Sequence, residues 1–414
     1  MNSLITDYLA EVLDEVRDDT AGEVPTYIPA LQKADPNWLG VALCTVSGNV
    51  YSTGDSSPEF TIQSVSKPFA YALALQEFGI DKVREHVGME PSGEAFNELS
   101  LEEEDKRPLN AMINVGAITI NQLLNGTDST VEDRVEYIRK YFSELAGRDL
   151  RIDEDAVEGE LEGADRNLSI AHMLRSYGII HDEAHDAVLS YTQQCSILVT
   201  IEDLAVMSAT LANGGVNPKT GKKILDADVC RHTMAVMASC GMYDAAGRWL
   251  AKVGIPAKSG VSGGLIGALP GQLGIASLSP RLDEVGNSVR GVTVFEHLSD
   301  DMGMHLMNTE NRAGSHAVRS ITREGDCTTV HIQGIVNFVA AEAIVQVLNQ
   351  HDFTTGRVLL DVSRIVESHP IARRMLKEGL RRLREDGHEI GVIDPEGELR
   401  SRVLDDGSRL PLVE

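Results

Sequence analysis

Ser64 and Lys67 form a Ser-x-x-Lys pattern, and their residue types suit nucleophilic catalysis. The pattern opens an apolar run at 69–75 that predicts a helix, so the two side chains would lie one turn apart on one face. A serine hydroxyl needs a neighbouring base at neutral pH. A lysine serves as that base when burial and the positive end of a helix lower its pKa. The simpler alternative is a surface lysine after a serine-rich helix start.

A second pattern, Lys258-Ser259-Gly260, follows a long helical region. Lys-Ser/Thr-Gly resembles the second landmark of the penicillin-binding and β-lactamase fold, in which Ser-x-x-Lys is the first. Small residues let the backbone pass close to a ligand, and a backbone N–H there completes an oxyanion hole. The middle landmark of β-lactamases, Ser-Asp-Asn or Tyr-x-Asn, is absent after Ser64. We therefore expect the fold relation without β-lactam chemistry.

In place of that landmark, the chain resembles the serine-dependent glutaminases over about residues 22–307. Eight blocks in family order carry the resemblance: Tyr-Ile-Pro-Ala-Leu at 27–31, Gln-Ser-Val-Ser-Lys at 63–67, Pro-Ser-Gly-Glu-Ala-Phe-Asn at 91–97, Met-Ile-Asn-Val-Gly-Ala-Ile at 112–118, Arg-Asn at 166–167, Tyr191 through Ser196, Cys-Gly-Met-Tyr-Asp at 240–244, and Lys-Ser-Gly-Val-Ser-Gly-Gly at 258–264. Two departures concern local loop geometry only, namely Ala111 where the family has proline and Gly159 where it has serine.

The resemblance implies a reaction and a role for each catalytic residue. Ser64 would attack the side-chain amide carbon of L-glutamine, and neutral Lys67 would take the serine proton. Tyr243 would hydrogen-bond the serine or the leaving ammonia. The N–H groups of Ser64 and Val261 would form the oxyanion hole. The products would be L-glutamate and ammonia, formed through a glutamyl-serine intermediate, with no metal or organic cofactor.

The resemblance also implies a set of substrate-binding residues. Glu160 would hold the α-ammonium, although it could instead be an exposed glutamate in an acidic loop. Lys258 would either add positive potential near the substrate carboxylate or pack beside Ser259. Without the family, turn formation would be the simpler role for Asn114 and Asn167. The remaining expected substrate contacts come from Tyr27, Gln63, Ser64, Asn114, Asn167, Tyr191, Tyr243 and Val261.

Composition places the chain among ordinary globular proteins. It has 414 residues, 42% of them hydrophobic, and a net charge of −26. The length suggests two domains, and the negative charge argues against nucleic acid and anionic membrane surfaces as partners. An odd number of scattered cysteines fits a reduced cytoplasm. The N-terminal 17 residues predict an acidic amphipathic helix rather than a signal peptide, and we expect a cytoplasmic protein.

The order of predicted elements indicates an α+β protein. A hairpin is predicted at 40–53, a mainly helical region at about 64–250, and strands at 257–260, 274–278 and 291–295. A β-lactamase-like sheet built from both chain ends, flanked by helices and carrying a helical subdomain, is the arrangement that the resemblance implies. The catalytic domain would cover residues 1–310, and the polar segment 308–316 would be a linker.

A different pattern follows the linker. Strands are predicted at 330–334, 357–362 and 388–393, and helices at 340–348 and 372–383, which indicates a small α/β layer. Residues 320–400 resemble the domain shared by sulfate transporters and anti-sigma-factor antagonists (STAS), and this domain would span 320–414. Ser368 lies where those antagonists carry a phosphorylated serine, but the usual Asp-Ser-Ser is missing. We expect a docking or assembly domain for an unknown regulatory partner, and a homotetramer by family analogy.

The sequence disfavours two other classes of function. A β-lactam-handling or peptidase enzyme of the serine acyl-transfer type lacks its middle motif, and a cell-wall enzyme would need export. A regulatory binding protein with an inactive catalytic head is disfavoured because Ser64, Lys67, Tyr243 and Val261 are all present.

Overall fold

The structure is a computed structural model that describes residues 4–25, 31–92, 101–102, 104–308, 317–351, 353, 356–404 and 406–413. The chain divides into two compact units, residues 1–297 and 298–414. Most of the predicted linker, residues 309–316, lies outside the described residues.

The first unit combines twelve described helices with seven described strands, and its last helix runs past residue 297. The helices are α1 Leu4–Val16, α2 Ser66–Phe78, α3 Ile80–Arg84, α4 Asn114–Leu123, α5 Val131–Ala146, α6 Glu154–Glu162, α7 Asp165–Ser176, α8 Ala184–Cys195, α9 Ile201–Ala212, α10 Ala227–Cys240, α11 Ala246–Lys252 and α12 Val289–Met302. The strands are β1 Gly40–Thr45, β2 Val50–Gly54, β3 Phe60–Thr61, β4 Leu198–Val199, β5 Ala257–Ser259, β6 Gly264–Leu269 and β7 Leu273–Leu278. This mixture is the α+β class that the sequence predicts.

A five-stranded antiparallel sheet joins the two ends of this unit in the order β2-β1-β7-β6-β5. The predicted hairpin is β1 and β2. Helix α9 packs directly on the sheet, because a Cβ atom at Gly274 would lie 2.2 Å from the backbone nitrogen of Ala209. Only a glycine permits so close an approach. The sheet therefore places β5, with its Lys-Ser-Gly sequence, at one edge.

One predicted strand is wrong. Residues 291–295 belong to α12 rather than to a strand. Their β-branched run suggested a strand, but Val294 and Phe295 are both fully buried, and adjacent buried positions suit a helix face rather than strand alternation. The Phe295 ring packs 5.6 Å from the Trp249 ring, so packing against α11 overrides local propensity. Strand β6, which the sequence did not predict, lies between β7 and the edge strand β5.

The N-terminal helix agrees with the amphipathic pattern. Its buried residues are Leu4, Ile5, Tyr8, Leu9, Val12, Leu13 and Val16. Among the described residues, no helix is both long enough and apolar enough to cross a membrane. All five cysteines are free, and four of them are buried.

The second unit contains a four-stranded mixed sheet in the order β11-β10-β9-β8. Its strands are β8 Val318–Glu324, β9 Cys327–Val336, β10 Arg357–Ser368 and β11 Glu389–Ile393, and its helices are α13 Phe338–Gln350 and α14 Pro370–Glu385. Strand β10 pairs in parallel with β9 and β11, as strand-helix alternation predicts. Strand β8 was not predicted. Ser368 ends β10, and its buried hydroxyl donates to the Glu398 carbonyl.

Candidate active site

A short 3₁₀ turn, Gln63–Val65, carries Ser64 and runs directly into α2. Lys67 lies in the first turn of α2 and is 1% exposed. Its Nζ donates to the Asn114 Oδ1 at 2.7 Å. Burial lowers the pKa of Lys67 to about 8, since the charged form loses its hydration. About a tenth of this lysine is therefore neutral at pH 7, far more than for an ordinary lysine, and a general base must be neutral to accept a proton.

The Lys-Ser-Gly strand packs against that turn. A Cβ atom at Gly260 would lie 3.0 Å from the Val65 Cγ2, so the missing side chain lets β5 approach the serine closely. Val261, the next residue, lines the same cavity as Ser64. The two stretches that the sequence separates by nearly 200 residues thus meet at one site.

A cavity of about 520 Å³ opens at Ser64. It lies among the Ser64 turn, the start of α4, α6, α7, α8 and the turn after β5. Its lining includes seven of the residues expected from the sequence, namely Gln63, Ser64, Asn114, Glu160, Asn167, Tyr191 and Val261. Tyr27 lies outside the described residues.

Glu160 is a partly buried carboxyl that lines this cavity. Burial raises its pKa to about 7, although the Gln63 amide donates to the Glu160 Oε1 and favours the charged form. The exposed-loop alternative is inconsistent with this position, because Glu160 lies on α6 with its side chain towards the cavity. Nearby, the Asn114 Nδ2 donates to the Asn167 Oδ1 at 3.3 Å. The arrangement places the Glu160 carboxyl beside the neutral amides of Gln63, Asn114 and Asn167.

Tyr243 and Lys258 do not line this cavity, although Tyr243 was expected to contact the substrate; Tyr243 lines a separate cavity of about 350 Å³. The Tyr243 hydroxyl donates to the Ser259 carbonyl at 3.0 Å, and the Lys258 Nζ donates to the same oxygen at 2.6 Å. The Lys258 Nζ also lies 4.0 Å from the centre of the Tyr243 ring. Burial lowers the pKa of Lys258 well below its usual value. Lys258 therefore packs beside Ser259, one of the two roles open from the sequence.

Two residues of the site have unusual backbone angles. Gln63 has φ 50° and Tyr243 has φ 52°, both in the left-handed region that favours glycine. Such conformations persist only when the surrounding structure holds them, and they cluster at functional sites. Each is the first residue of a 3₁₀ turn that contains a predicted catalytic residue: Gln63–Val65 carries Ser64, and Tyr243–Ala245 begins with Tyr243 itself.

Several lining residues had no role in the sequence interpretation. They are Glu23, Val24, Pro25, Gly163, Ala164, Arg166, Thr192, Cys195, Leu282, Asp283, Glu284, Val285 and Gly286. The bridge between Glu23 and Leu282 brings the N-terminal segment beside residues 282–286. Arg166, Thr192 and Cys195 fell inside matched blocks, so their position in those blocks was a usable signal. Residues 282–286 carry no motif, so only the folded structure shows that they line the cavity.

Comparisons with known proteins identify the family of this chain. The glutaminase family model matches residues 22–307. A glutaminase of Corynebacterium glutamicum is 64% identical over 404 residues, 98% of this chain and 97% of its own length. Glutaminase 2 of Bradyrhizobium diazoefficiens is 41% identical over 394 residues, 90% of this chain and 62% of its own length.

Solved structures give the same result. A crystal structure of Mglu in its glutamate form has a TM-score of 0.74 and 45% identity, and the alignment covers 96% of this chain and 99% of that one. The probable glutaminase ybaS has a TM-score of 0.71 and 36% identity, covering 73% of this chain and 98% of that one. With a family model across more than half of its length and close relatives across nearly all of it, this chain belongs to the glutaminase family.

Proposed function

We propose that this glutaminase hydrolyses the side-chain amide of L-glutamine to L-glutamate and ammonia through a glutamyl ester on Ser64. The observation that carries the proposal is the buried Lys67, whose pKa falls to about 8 one turn after Ser64 and whose Nζ is held by Asn114. A surface lysine would have neither the burial nor the fixed amide partner. The family membership of the chain supports the same reaction.

In the acylation step, the Ser64 Oγ attacks the amide carbon while neutral Lys67 accepts the hydroxyl proton. The Asn114 oxygen accepts one Nζ hydrogen and so orients the nitrogen lone pair. The backbone N–H groups of Ser64 and Val261 would bind the oxyanion. Protonated Lys67, with Tyr243 nearby, then delivers a proton to the leaving nitrogen. After ammonia leaves, a water molecule attacks the ester carbon while neutral Lys67 accepts its proton, and the proton then passes to the Ser64 Oγ as L-glutamate is released.

Substrate recognition follows from the polarity of the cavity. Glu160 is the anion for the α-ammonium, and a bound ammonium would favour its charged form and lower its raised pKa. Asn114, Asn167, Tyr191 and Gln63 would bind the rest of the amino acid. The glutamate form of the related Mglu supports an amino acid of this size and charge as occupant.

The wider organisation is also a proposal. The sheet order, with Ser-x-x-Lys and Lys-Ser-Gly adjacent, supports a β-lactamase-like catalytic domain at 1–310. The mixed sheet with α13 and α14 supports a STAS-like domain at 320–414 that docks a regulatory partner. Five free cysteines support a cytoplasmic location. A homotetramer rests on family analogy.

One experiment tests the reaction. Ammonia release from L-glutamine is compared with release from L-asparagine and with hydrolysis of a chromogenic cephalosporin. Ser64→Ala should lose nearly all turnover while remaining folded, and Ser57→Ala, at an exposed position seven residues upstream, should match wild type. Mass spectrometry of rapidly quenched wild type should show a glutamyl adduct on the peptide containing Ser64. A tenth or more of wild-type activity in Ser64→Ala would rule out this nucleophile.

A further inference from the structure

Ser66 lies inside the Ser-x-x-Lys pattern but has no part in the proposed reaction. It is the first residue of α2, it is fully buried, and it does not line the cavity at Ser64. Its Oγ accepts a hydrogen bond from the Gln194 Nε2 at 3.0 Å. Gln194 belongs to α8, is fully buried and also lies outside the cavity lining. This hydrogen bond therefore holds the start of α2 from outside the substrate cavity.

Gln194 links the catalytic turn to the helix that carries Tyr191. Tyr191 and Cys195 line the Ser64 cavity from α8. Ser66 and Tyr191 both interact with the Cys195 thiol, which makes a second connection between the turn and α8. The turn with the proposed nucleophile and the helix with an expected substrate contact are thus joined directly.

The same connection continues into α4. The Asn121 Nδ2 donates to the Gln194 Oε1 at 3.0 Å, and Asn121 is fully buried. Asn121 follows Asn114 by seven residues, so the two side chains lie on one face of α4. Asn114 accepts the hydrogen bond from the Lys67 Nζ. One face of α4 therefore holds the proposed base directly and the residue before it through Gln194.

The turn before α2 depends on support from its neighbours. Gln63 has φ 50°, a conformation that persists only when the surrounding structure holds it. In the described part of the chain, three helices make side-chain hydrogen bonds to residues 63–67, through Glu160 on α6, Gln194 on α8 and Asn114 on α4. Glu160 and Asn114 are also expected to bind the substrate. Gln194 is not, so its contribution to this arrangement is to fix the turn.

We propose that Gln194 is a positioning residue for the reaction, which holds Ser64 and Lys67 in place against the bound amide through Ser66. The effect on turnover rests on the proposed glutaminase activity. The expected substrate contacts on α6, α7 and α8 do not belong to the turn. Loss of the hydrogen bond would therefore leave substrate binding in place and displace the reacting groups. A displacement of about 1 Å caused by a remote change can lower the rate about a hundredfold.

The test measures kcat and KM for ammonia release with the full-length enzyme, together with thermal unfolding. Gln194→Met keeps the length of the side chain and removes the hydrogen bond, Ser66→Ala removes the acceptor alone, and a double variant combines them. Gln193→Met makes the same change at the preceding position of α8, which does not line the cavity. Asn217→Ala is the stability control, because this fully buried side chain lies outside the cavity lining and donates two hydrogen bonds to carbonyls of α5.

We expect Gln194→Met and Ser66→Ala each to lower kcat about tenfold to hundredfold while KM changes less than threefold. The double variant should be no slower than the slower single variant, because both changes break the same connection. Gln193→Met should match wild type. Asn217→Ala should lower the unfolding temperature and keep kcat.

A kcat within threefold of wild type in either single variant overturns the proposal, and Ser66→Ala decides alone if Gln194→Met does not fold. Losses that multiply in the double variant overturn the route through Ser66. An equal loss of kcat in Asn217→Ala, at a similar loss of stability, overturns the positioning role. Failure of wild type to release ammonia from L-glutamine would instead overturn the proposed function.

Discussion

Replacing Glu160 by glutamine should weaken recognition of the substrate and at the same time stabilise the folded protein. The carboxyl lines the Ser64 cavity, and its pKa is raised to about 7 by burial. Gln63 donates to one of its oxygens, and a glutamine oxygen at position 160 can accept that same bond. Glu160→Gln therefore keeps shape and local hydrogen bonding and removes only the charge.

The loss of the charge should weaken substrate use. A charge-assisted hydrogen bond to a desolvated ammonium contributes roughly 1.5–3 kcal/mol, so kcat/KM for L-glutamine should fall about tenfold to hundredfold. The preference for L-glutamine over glutaramate, which lacks the α-amino group, should narrow by the same factor. In wild type, KM should improve as pH rises through about 7, because only the ionised Glu160 binds the ammonium.

The same substitution should stabilise the ligand-free protein. The Glu160 pKa rises from 4.5 to about 7, a shift of about 2.5 that corresponds to about 3 kcal/mol. Because the folded pKa lies above the unfolded one, folding favours the protonated carboxyl. Its contribution to stability is present below pH 4.5 and is lost as pH rises through 7. Glu160→Gln avoids this loss, so it should be more stable than wild type at pH 8 and similar near pH 4.5.

The assays are steady-state ammonia release between pH 6 and 9 and thermal unfolding at pH 5 and pH 8. Glu158→Gln, at an exposed position of the same helix, is the control and should behave as wild type in both. If Glu160→Gln uses both substrates as wild type does, Glu160 does not bind the ammonium. If the variant unfolds at a lower temperature than wild type at pH 8, the carboxylate is not held at a desolvation cost, and the stability argument is refuted.

Three further predictions follow from the site. Activity should rise with pH through about 8, on the acid limb of the pH profile, as Lys67 loses its proton. Lys67→Arg should be inactive because the guanidinium group stays protonated. An Arg variant that releases ammonia would show that Lys67 is not the base. Tyr243→Phe keeps the aromatic ring over Lys258 but loses the hydrogen bond to the Ser259 carbonyl. We expect kcat to fall by more than tenfold while KM changes less than threefold. An unchanged kcat would show that Tyr243 takes no part in the chemical step. A chain ending at Asn311 should retain measurable ammonia release, because every assigned site residue precedes it; complete loss in a folded, soluble truncation would show that the C-terminal unit is needed to build the site.

Local patterns predicted several elements, whereas the expected site residues came from the family resemblance, and seven of them line the cavity. Helix α1, the β1–β2 hairpin and the alternation of the second unit follow from hydrophobic periodicity, which depends only on neighbours in the chain. The strand predicted at 291–295 is wrong because tertiary packing, rather than local pattern, decides the structure there. Its β-branched residues favour a strand locally, but burial of Val294 and Phe295 on one side of α12 decides for helix.

The sequence by itself determined which residues could react, since the types and spacing of Ser64, Lys67 and the Lys-Ser-Gly segment are those that the proposed chemistry requires. The tertiary structure decided their properties. Lys67 can act as a base only if it is buried. Glu160 can bind the substrate only if α6 faces the cavity, and is otherwise a surface residue. Neither burial nor the orientation of a helix is decided by neighbouring residues in the chain. The buried hydrogen bonds from Asn121 to Gln194 and from Gln194 to Ser66 cannot be predicted from the sequence for the same reason, because Asn121 and Gln194 are 73 residues apart in the chain and meet only when α4 packs against α8.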